Sequence, residues 1–310
     1  MFVALVFSVV ATSFAQDDGL LLYYPCDDKK GGVLADAGPA HANGLLNAQL
    51  NGEVRGASVI CEKAGEWIPI LTADGVQCKG LVAGSDAALA EGERPIVLDR
   101  DKDYAIDSAN GRIKALPGGR VEIGSPFTLD FKFSNPGPSW AEGKAGGCLK
   151  LDGVDDYVTL GRQPAANSLE AVTLQCWICL SKDGSPDAVI LTKGSGGKIF
   201  GLRLKGGVPQ FFHPGLKTAE GKSAPATQGK DALARETWHH LAAIFDGSNA
   251  ILVVDGRETA RQTSLTGKLE TIGDFHVGGL RDPEFFGGCV DEIKIYGRAR
   301  SQEEIAKEVK

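Results

Sequence analysis

Apolar and polar positions alternate along most of the chain in short runs, and the clearest run lies at 146–160. Leu149 and Leu151 alternate with polar positions until Asp152-Gly153 breaks the pattern, and Tyr157 to Leu160 resumes it. Alternation on either side of an Asp-Gly turn predicts two strands of one antiparallel sheet. The same period recurs at 19–26, 171–180, 187–193, 200–204, 237–247, 250–256, 275–279 and 285–296, with Asp246-Gly247 and Asp255-Gly256 as turns. At the end of the chain, Ser301 and Glu304 have capping-box spacing before a short helix reaching Val309.

The stretch between Asn51 and Ser134 has its own alternation. Segments 57–61, 67–71, 95–98, 104–107, 112–116 and 128–133 read as short strands, with Gly, Asp and Asn in the gaps. Six strands at this spacing predict a small β-sandwich of immunoglobulin-like character. Cys61 and Cys78 would staple it if their Cα atoms lie within about 7 Å.

Outside that stretch, four features resemble the laminin-G-like jelly roll of the concanavalin A-like lectin and glucanase superfamily. They are the first apolar strand with its acidic turn, the Gly146–Leu160 region, the Trp-bearing strand at 171–180 and the closing strands 275–279 and 285–296. The resemblance implies an all-β fold: a two-sheet antiparallel jelly roll plus the small immunoglobulin-like β-sandwich insert. The expected organisation is a leader at 1–15, a discontinuous jelly roll at 19–51 and 135–310, and an inserted unit at 52–134. Insertion at a surface loop is tolerated where the two ends lie close together.

Composition narrows the reading. The 41 Gly and 14 Pro supply the turns an all-β chain needs, and a net charge of -7 without a long basic run argues against nucleic acid or an anionic membrane surface as partner. Residues 1–15 are uncharged, with small residues at Ser13 and Ala15, and read as a leader cleaved before Gln16. The expected location is secreted, periplasmic or cell-surface, with no transmembrane segment in the mature chain. The seven cysteines leave at least one thiol unpaired within the chain. Cys176 and Cys179 have C-x-x-C spacing, but on a strand they face opposite sides and share neither a metal nor a disulfide.

Candidate chemistry is sparse. Asp152, Asp156 and Asp291 are the candidate metal ligands, because hard carboxylate oxygens converging from two strands suit Ca2+, and many members of the resembled family bind it. The competing expectation is that Asp152 caps its turn and Asp291 accepts backbone N–H bonds. Phe212, His213, Arg281 and Phe285 are candidate ligand-binding residues, combining aromatic faces with polar partners as sugars require; on strands, at least one Phe of each Phe-Phe pair must face inward. His239 and His240 are adjacent and so point to opposite faces. No catalytic residue is assigned: a glycosidase run of alternating carboxylates is absent, and adjacent Asp291 and Glu292 are expected on opposite faces. The expected function is non-catalytic binding, with carbohydrate or a cell-surface glycoconjugate implied by the family. The alternatives are an adhesion protein contacting another protein through the insert, and a cryptic glycan-active enzyme.

Overall fold

The computed structural model describes residues 19–28, 33–40, 42–46, 50–71, 78, 80–90, 95–135, 137–195, 197–279 and 284–309. The leader expected at 1–15 and the candidate Arg281 lie outside them. The chain begins with β1 (Leu20–Tyr24), β2 (Val33–Leu34) and β3 (Gly44–Leu46). A middle stretch holds β4 (Leu50–Ile60), β5 (Ile68–Pro69), β6 (Ala87–Ala90), β7 (Ile96–Leu98), β8 (Tyr104–Asp107), β9 (Arg112–Ala115) and β10 (Pro126–Asn135). Then follow β11 (Ser139–Glu142), β12 (Gly147–Asp152), β13 (Val158–Arg162), β14 (Ser168–Leu169), β15 (Val172–Leu180), β16 (Ala188–Ser195), β17 (Lys198–Lys205) and β18 (Val208–Phe212). The last elements are β19 (Thr227–Gln228), β20 (Trp238–Phe245), β21 (Ala250–Val254), β22 (Arg257–Gln262), β23 (Leu269–Glu270), β24 (Asp274–Val277), β25 (Gly287–Tyr296) and α1 (Gln302–Glu308).

Two large antiparallel sheets make the jelly roll. The first has the order β11-β12-β25-β15-β20-β21-β22, and β1 lies beyond β12 along the same edge of β25. The second runs β19-β18-β17-β16-β24-β13-β3-β2. Their inner faces share one core, with Leu149, Leu174, Ile178 and Ile293 from the first sheet meeting Val158, Leu191, Leu202 and Phe275 from the second. Each such side chain contributes about 1.5–3 kcal/mol by leaving water.

The Asp152-Gly153 turn does not join two strands of one sheet as the alternation predicted. β12 pairs with β25 in the first sheet, whereas β13 pairs with β24 and β3 in the second. Leu149 and Leu151 therefore approach the core from one side and Val158 and Leu160 from the other. Both strands alternate correctly, and the chain crosses between sheets at the turn. Gly153 has φ +79°, and a Cβ there would come within 2.8 Å of the Gly287 Cα, so the crossing depends on glycine.

Among the described residues, the strands from β4 to β10 pair only with one another. They form sheets of order β4-β10-β6-β7 and β5-β9-β8 around a second core containing Tyr104, Ile113, Phe127 and Phe131. β4 and β10 run side by side as far as Leu50 opposite Asn135, so the chain leaves and rejoins the jelly roll at neighbouring points. β6 has no counterpart in the sequence reading, because Ala87–Ala90 lacks the β-branched and aromatic residues that mark strands. Pairing with β10 and β7 holds it extended. Cys61 and Cys78 are both buried in this second core and no disulfide joins them, so the expected staple is not formed.

The outer face of the first sheet is closed by the C-terminal segment. Thr173 and Gln175 on β15 are buried polar residues whose bonds go to that segment: Thr173 Oγ1 donates to Arg298 O and accepts from Arg300 N, and Gln175 contacts Glu308 and Arg300. α1 carries the predicted capping box, with Glu304 N donating to Ser301 Oγ, and seats Ile305 on Ile244, Ile251 and Val253.

Candidate functional site

α1 covers part of the outer face of the first sheet, over Ile244, Ile251 and Val253, and the outer face of the second sheet carries a mix of buried and exposed side chains. Its register aligns one row of side chains across the strands: Val33 opposite Leu45, Leu45 opposite Thr159, Thr159 opposite His276, His276 opposite Thr192, Thr192 opposite Gly201 and Gly201 opposite Phe212. These positions have the parity opposite to core residues Val158, Val277, Leu191, Leu202 and Phe211. At one end Val33 and Leu45 are 43% and 61% exposed. At the other, Phe212 is 8% exposed, with the Arg203 guanidinium 5.1 Å from its ring centroid. A parallel row is wired by side-chain bonds, Arg203 Nε to Gln210 Oε1 at 2.8 Å and Gln210 Nε2 to Gln228 Oε1 at 2.6 Å. Near the centre, His276 Nδ1 lies 3.4 Å from Thr159 Oγ1, and its ring is 6.3 Å from that of Tyr157. Burial lowers the His276 pKa, so the imidazole is a neutral hydrogen-bonding group at pH 7.

The other predicted ligand-binding residues fall elsewhere. Phe211 and Phe286 are fully buried and Phe285 is 9% exposed, so neither Phe-Phe pair presents a ring to solvent. His213 is buried against Phe211 and contacts Thr227 Oγ1 at 3.1 Å. Burial lowers its pKa to about 4. The sequence carries no signal for Thr159, Arg203, Gln210 and His276 as a group, since they lie on four strands separated by up to 117 residues.

Carboxylates of Asp152, Asp155 and Asp156 come within 4.8 Å of one another in the turn between β12 and β13. Two of them brace the turn: Asp152 Oδ1 accepts from Val154 N, and Asp156 Oδ2 accepts from Asp152 N, each at 2.8 Å. The turn-capping expectation for Asp152 is thus met, and the donor set is also one a hard cation can use.

Asp291 does not join that group. Asp152 lies opposite Gly287, and Asp291 is four residues further along β25, about 13 Å away at strand rise. Its buried carboxylate is taken up by backbone, accepting from Lys144 N and Ala145 N at Oδ2 and from Glu292 N at Oδ1. Burial nonetheless pushes its pKa up to about 6.

Asp291 and Glu292 also depart from strict alternation. The β15–β25 register slips between Gln175 and Trp177, and Glu292 has φ +49°, the geometry of an inserted bulge residue. Both carboxylates consequently lie on the outer side, Glu292 accepting from Tyr23 Oη at 2.9 Å and pairing with Lys294 at 3.3 Å. Adjacent His239 and His240 do divide as expected: His239 reaches Asp255 at 2.8 Å, while His240 is buried edge-on against Trp177.

Beside α1, a cleft of about 300 Å3 is lined by Ile244, Ile251, Glu258 and Arg261. Glu258 and Arg261 bind each other bidentately there, at 2.8 and 2.5 Å.

Several solved structures are similar to this chain. Domain 4 of the extracellular arabinanase AbnA from Geobacillus stearothermophilus, solved with arabinotriose, is 17% identical with a TM-score of 0.44, over 57% of this chain and 84% of that one. The binding domain of Paraclostridial Mosquitocidal Protein 1 is 12% identical with a TM-score of 0.46, over 74% of this chain and 52% of that one. The SAP-like pentraxin of Limulus polyphemus is 11% identical with a TM-score of 0.36, over 47% and 72%. No curated protein matches the sequence. The family model for concanavalin A-like lectin/glucanases matches residues 152–306, half of the 310-residue chain. These residues hold β13 to β25, all but β14 and β23 of which lie in the two large sheets, and the chain belongs to the concanavalin A-like lectin/glucanases superfamily.

Proposed function

We propose that the chain is an exported, non-catalytic binding module whose ligand is carbohydrate or a cell-surface glycoconjugate, held on the outer face of the second sheet. The observation that carries this reading is the row from Leu45 through Thr159 to His276, extended across the sheet by Arg203 and Gln228, with Thr192, Gln210 and Phe212 buried beneath it. The groups of this face that reach solvent, on Thr159, His276, Arg203 and Gln228, with an apolar patch at the Val33 and Leu45 end, match a ligand whose hydroxyls need hydrogen bonds and whose ring faces need apolar contact. Membership of a superfamily that includes lectins supports the same ligand class. In this reading a calcium ion is held by Asp152, Asp155 and Asp156 rather than by Asp291, and it stiffens the turn leading into β13.

The test is binding of the chain to a broad polysaccharide and glycan panel, with Ca2+ and again with EDTA. Arg203→Ala and His276→Ala should each weaken a hit at least about tenfold, the loss expected for one or two hydrogen bonds, one of them charge-assisted. Binding that survives both substitutions places the site elsewhere.

A second reading has its own observation. Leu89 and Val97 are cross-strand neighbours on β6 and β7, 40% and 64% exposed, and β7 is the edge of its sheet. An apolar edge strand fits a protein partner better than a sugar. If 52–134 is an inserted adhesion unit, the glycan panel stays silent, and partner capture is lost when that unit is removed.

A further inference from the structure

The small sheet β5-β9-β8 turns one face to the second core and the other to solvent. Ile68 and Ile70, with Ile113 and Ala115 on β9, pack on the core side. The alternate positions therefore make the outer face: Trp67, Pro69 and Leu71 in one line, and Arg112 and Lys114 in the next. Ile68 pairs with Ile113 and Pro69 with Arg112, which sets Trp67 beside Lys114. Trp67 and Leu71 are 37% and 43% exposed, and Pro69 is exposed between them. Of the four tryptophans only Trp67 is exposed.

The charges on this face are short of acceptors. Lys114 Nζ lies 4.4 Å from the centroid of the Trp67 ring, and the Arg112 guanidinium lies 5.7 Å from it. Arg112 Nη2 binds Asp107 on β8 at 2.6 Å, but its Nε is buried and has no acceptor among the described residues. Among the same residues no carboxylate pairs with Lys114. β8 and β9 thus give the face two cations and one carboxylate, on a chain whose net charge is -7. A cation resting on an exposed ring is worth about 0.5–1 kcal/mol, little enough for a stronger acceptor to draw the ammonium off the indole.

We infer that this face binds an acidic saccharide, one that carries carboxylate groups on its rings. A sugar ring stacks on the indole in place of the ammonium, and the rings beside it run along Pro69 and Leu71. The carboxylate at the ring edge is received by Lys114 and Arg112 on the adjacent strand, about 4.8 Å to the side. An acidic peptide would meet the same charges but has no flat apolar face to match the line of Trp67, Pro69 and Leu71. The site lies on the 52–134 stretch, separate from the outer face of the second sheet, and either can fail without the other.

The experiment is isothermal titration calorimetry of the full chain at low salt with hexamers of galacturonate, mannuronate and hyaluronan. At least one should bind, with an affinity that falls as salt rises. Its fully methyl-esterified form keeps the rings and loses the charge, and should bind at least about tenfold more weakly, the loss expected for one charge-assisted hydrogen bond. Trp67→Ala and Lys114→Gln should each weaken the hit at least about tenfold, whereas Lys222→Gln, which removes the same charge from an exposed position on the jelly roll, should leave it unchanged. Silence to all three hexamers, equal binding of the ester, or equal binding of hexaglutamate would each overturn the proposal. A hit lost in Arg203→Ala but kept in Trp67→Ala and Lys114→Gln belongs to the second sheet and overturns it as well. The ester comparison uses the wild type and decides even where a variant does not fold.

Discussion

Asp291 should make the protein less stable as pH rises from about 4 to about 6, which is opposite to the behaviour of a salt-bridged carboxylate. Its side chain is fully buried, and three backbone N–H bonds only partly offset the cost of placing a charge there. The folded pKa is about 6 against an ordinary 3.8. Below about pH 4 both folded and unfolded chains hold the proton, and the residue adds no pH dependence. Between about pH 4 and 6 the unfolded chain releases it while the folded chain retains it, so stability falls. Above about pH 6 both are ionised and the deficit is constant. A gap of about two pH units at 1.36 kcal/mol each makes the loss roughly 3 kcal/mol.

The assay is urea unfolding of the wild type and Asp291→Asn across this range. The variant carries a pH-independent cost of about 1–3 kcal/mol, because its amide N–H2 meets backbone donors. Only the change in the difference between the two proteins isolates Asp291. Wild-type stability relative to the variant should drop by roughly 3 kcal/mol between pH 4 and 7. A difference that is flat, or that grows with pH, would refute the reasoning and show that the three N–H bonds outweigh burial.

Three further outcomes follow from the same structure. Replacing residues 52–133 with a two-residue Asn-Gly link should leave a cooperatively unfolding β-protein by circular dichroism, because Asn51 and Ser134 are cross-strand partners; an unfolded or aggregated product would show that the second core supports the first. Ser301→Ala should lower stability by about 1 kcal/mol in denaturant unfolding, through loss of the cap on α1, and an unchanged midpoint would mean that α1 is held by its Ile305 and Glu308 contacts alone. Lys193 is fully buried, with Nζ bonded to the Gly273 carbonyl at 3.0 Å and lying 4.9 Å from the Phe275 ring. Desolvation lowers its pKa, so the unfolded chain keeps the proton to higher pH and stability rises with pH as the folded lysine deprotonates. Lys193→Met should remove that rise and keep stability at pH 7 within about 1 kcal/mol of wild type; a loss of several kcal/mol there would show that the ammonium is needed.

Some of this architecture was legible in the sequence because its causes are local. Alternation marked β15, β20, β21 and β25, and Asp246-Gly247 and Asp255-Gly256 formed the turns that join β20 to β21 and β21 to β22. The capping box at Ser301 and Glu304 placed α1, and C-x-x-C spacing on a strand separated Cys176 from Cys179. Each of these signals is carried by residues only a few positions apart.

Tertiary structure decided the rest. A two-residue period says which side chains face a core, but not from which sheet, and so the Asp152 turn became a crossing between sheets. The same period cannot register one inserted residue, and the bulge at Glu292 put two adjacent carboxylates on one side. The buried Phe211-Phe212 and Phe285-Phe286 pairs kept their aromatic character but not the expected exposure, because burial depends on what covers a strand. Thr159, His276, Thr192 and Phe212 form a row only through pairing of strands distant in sequence. Apolar periodicity therefore determined the strands, and long-range strand pairing determined which polar side chains share a face.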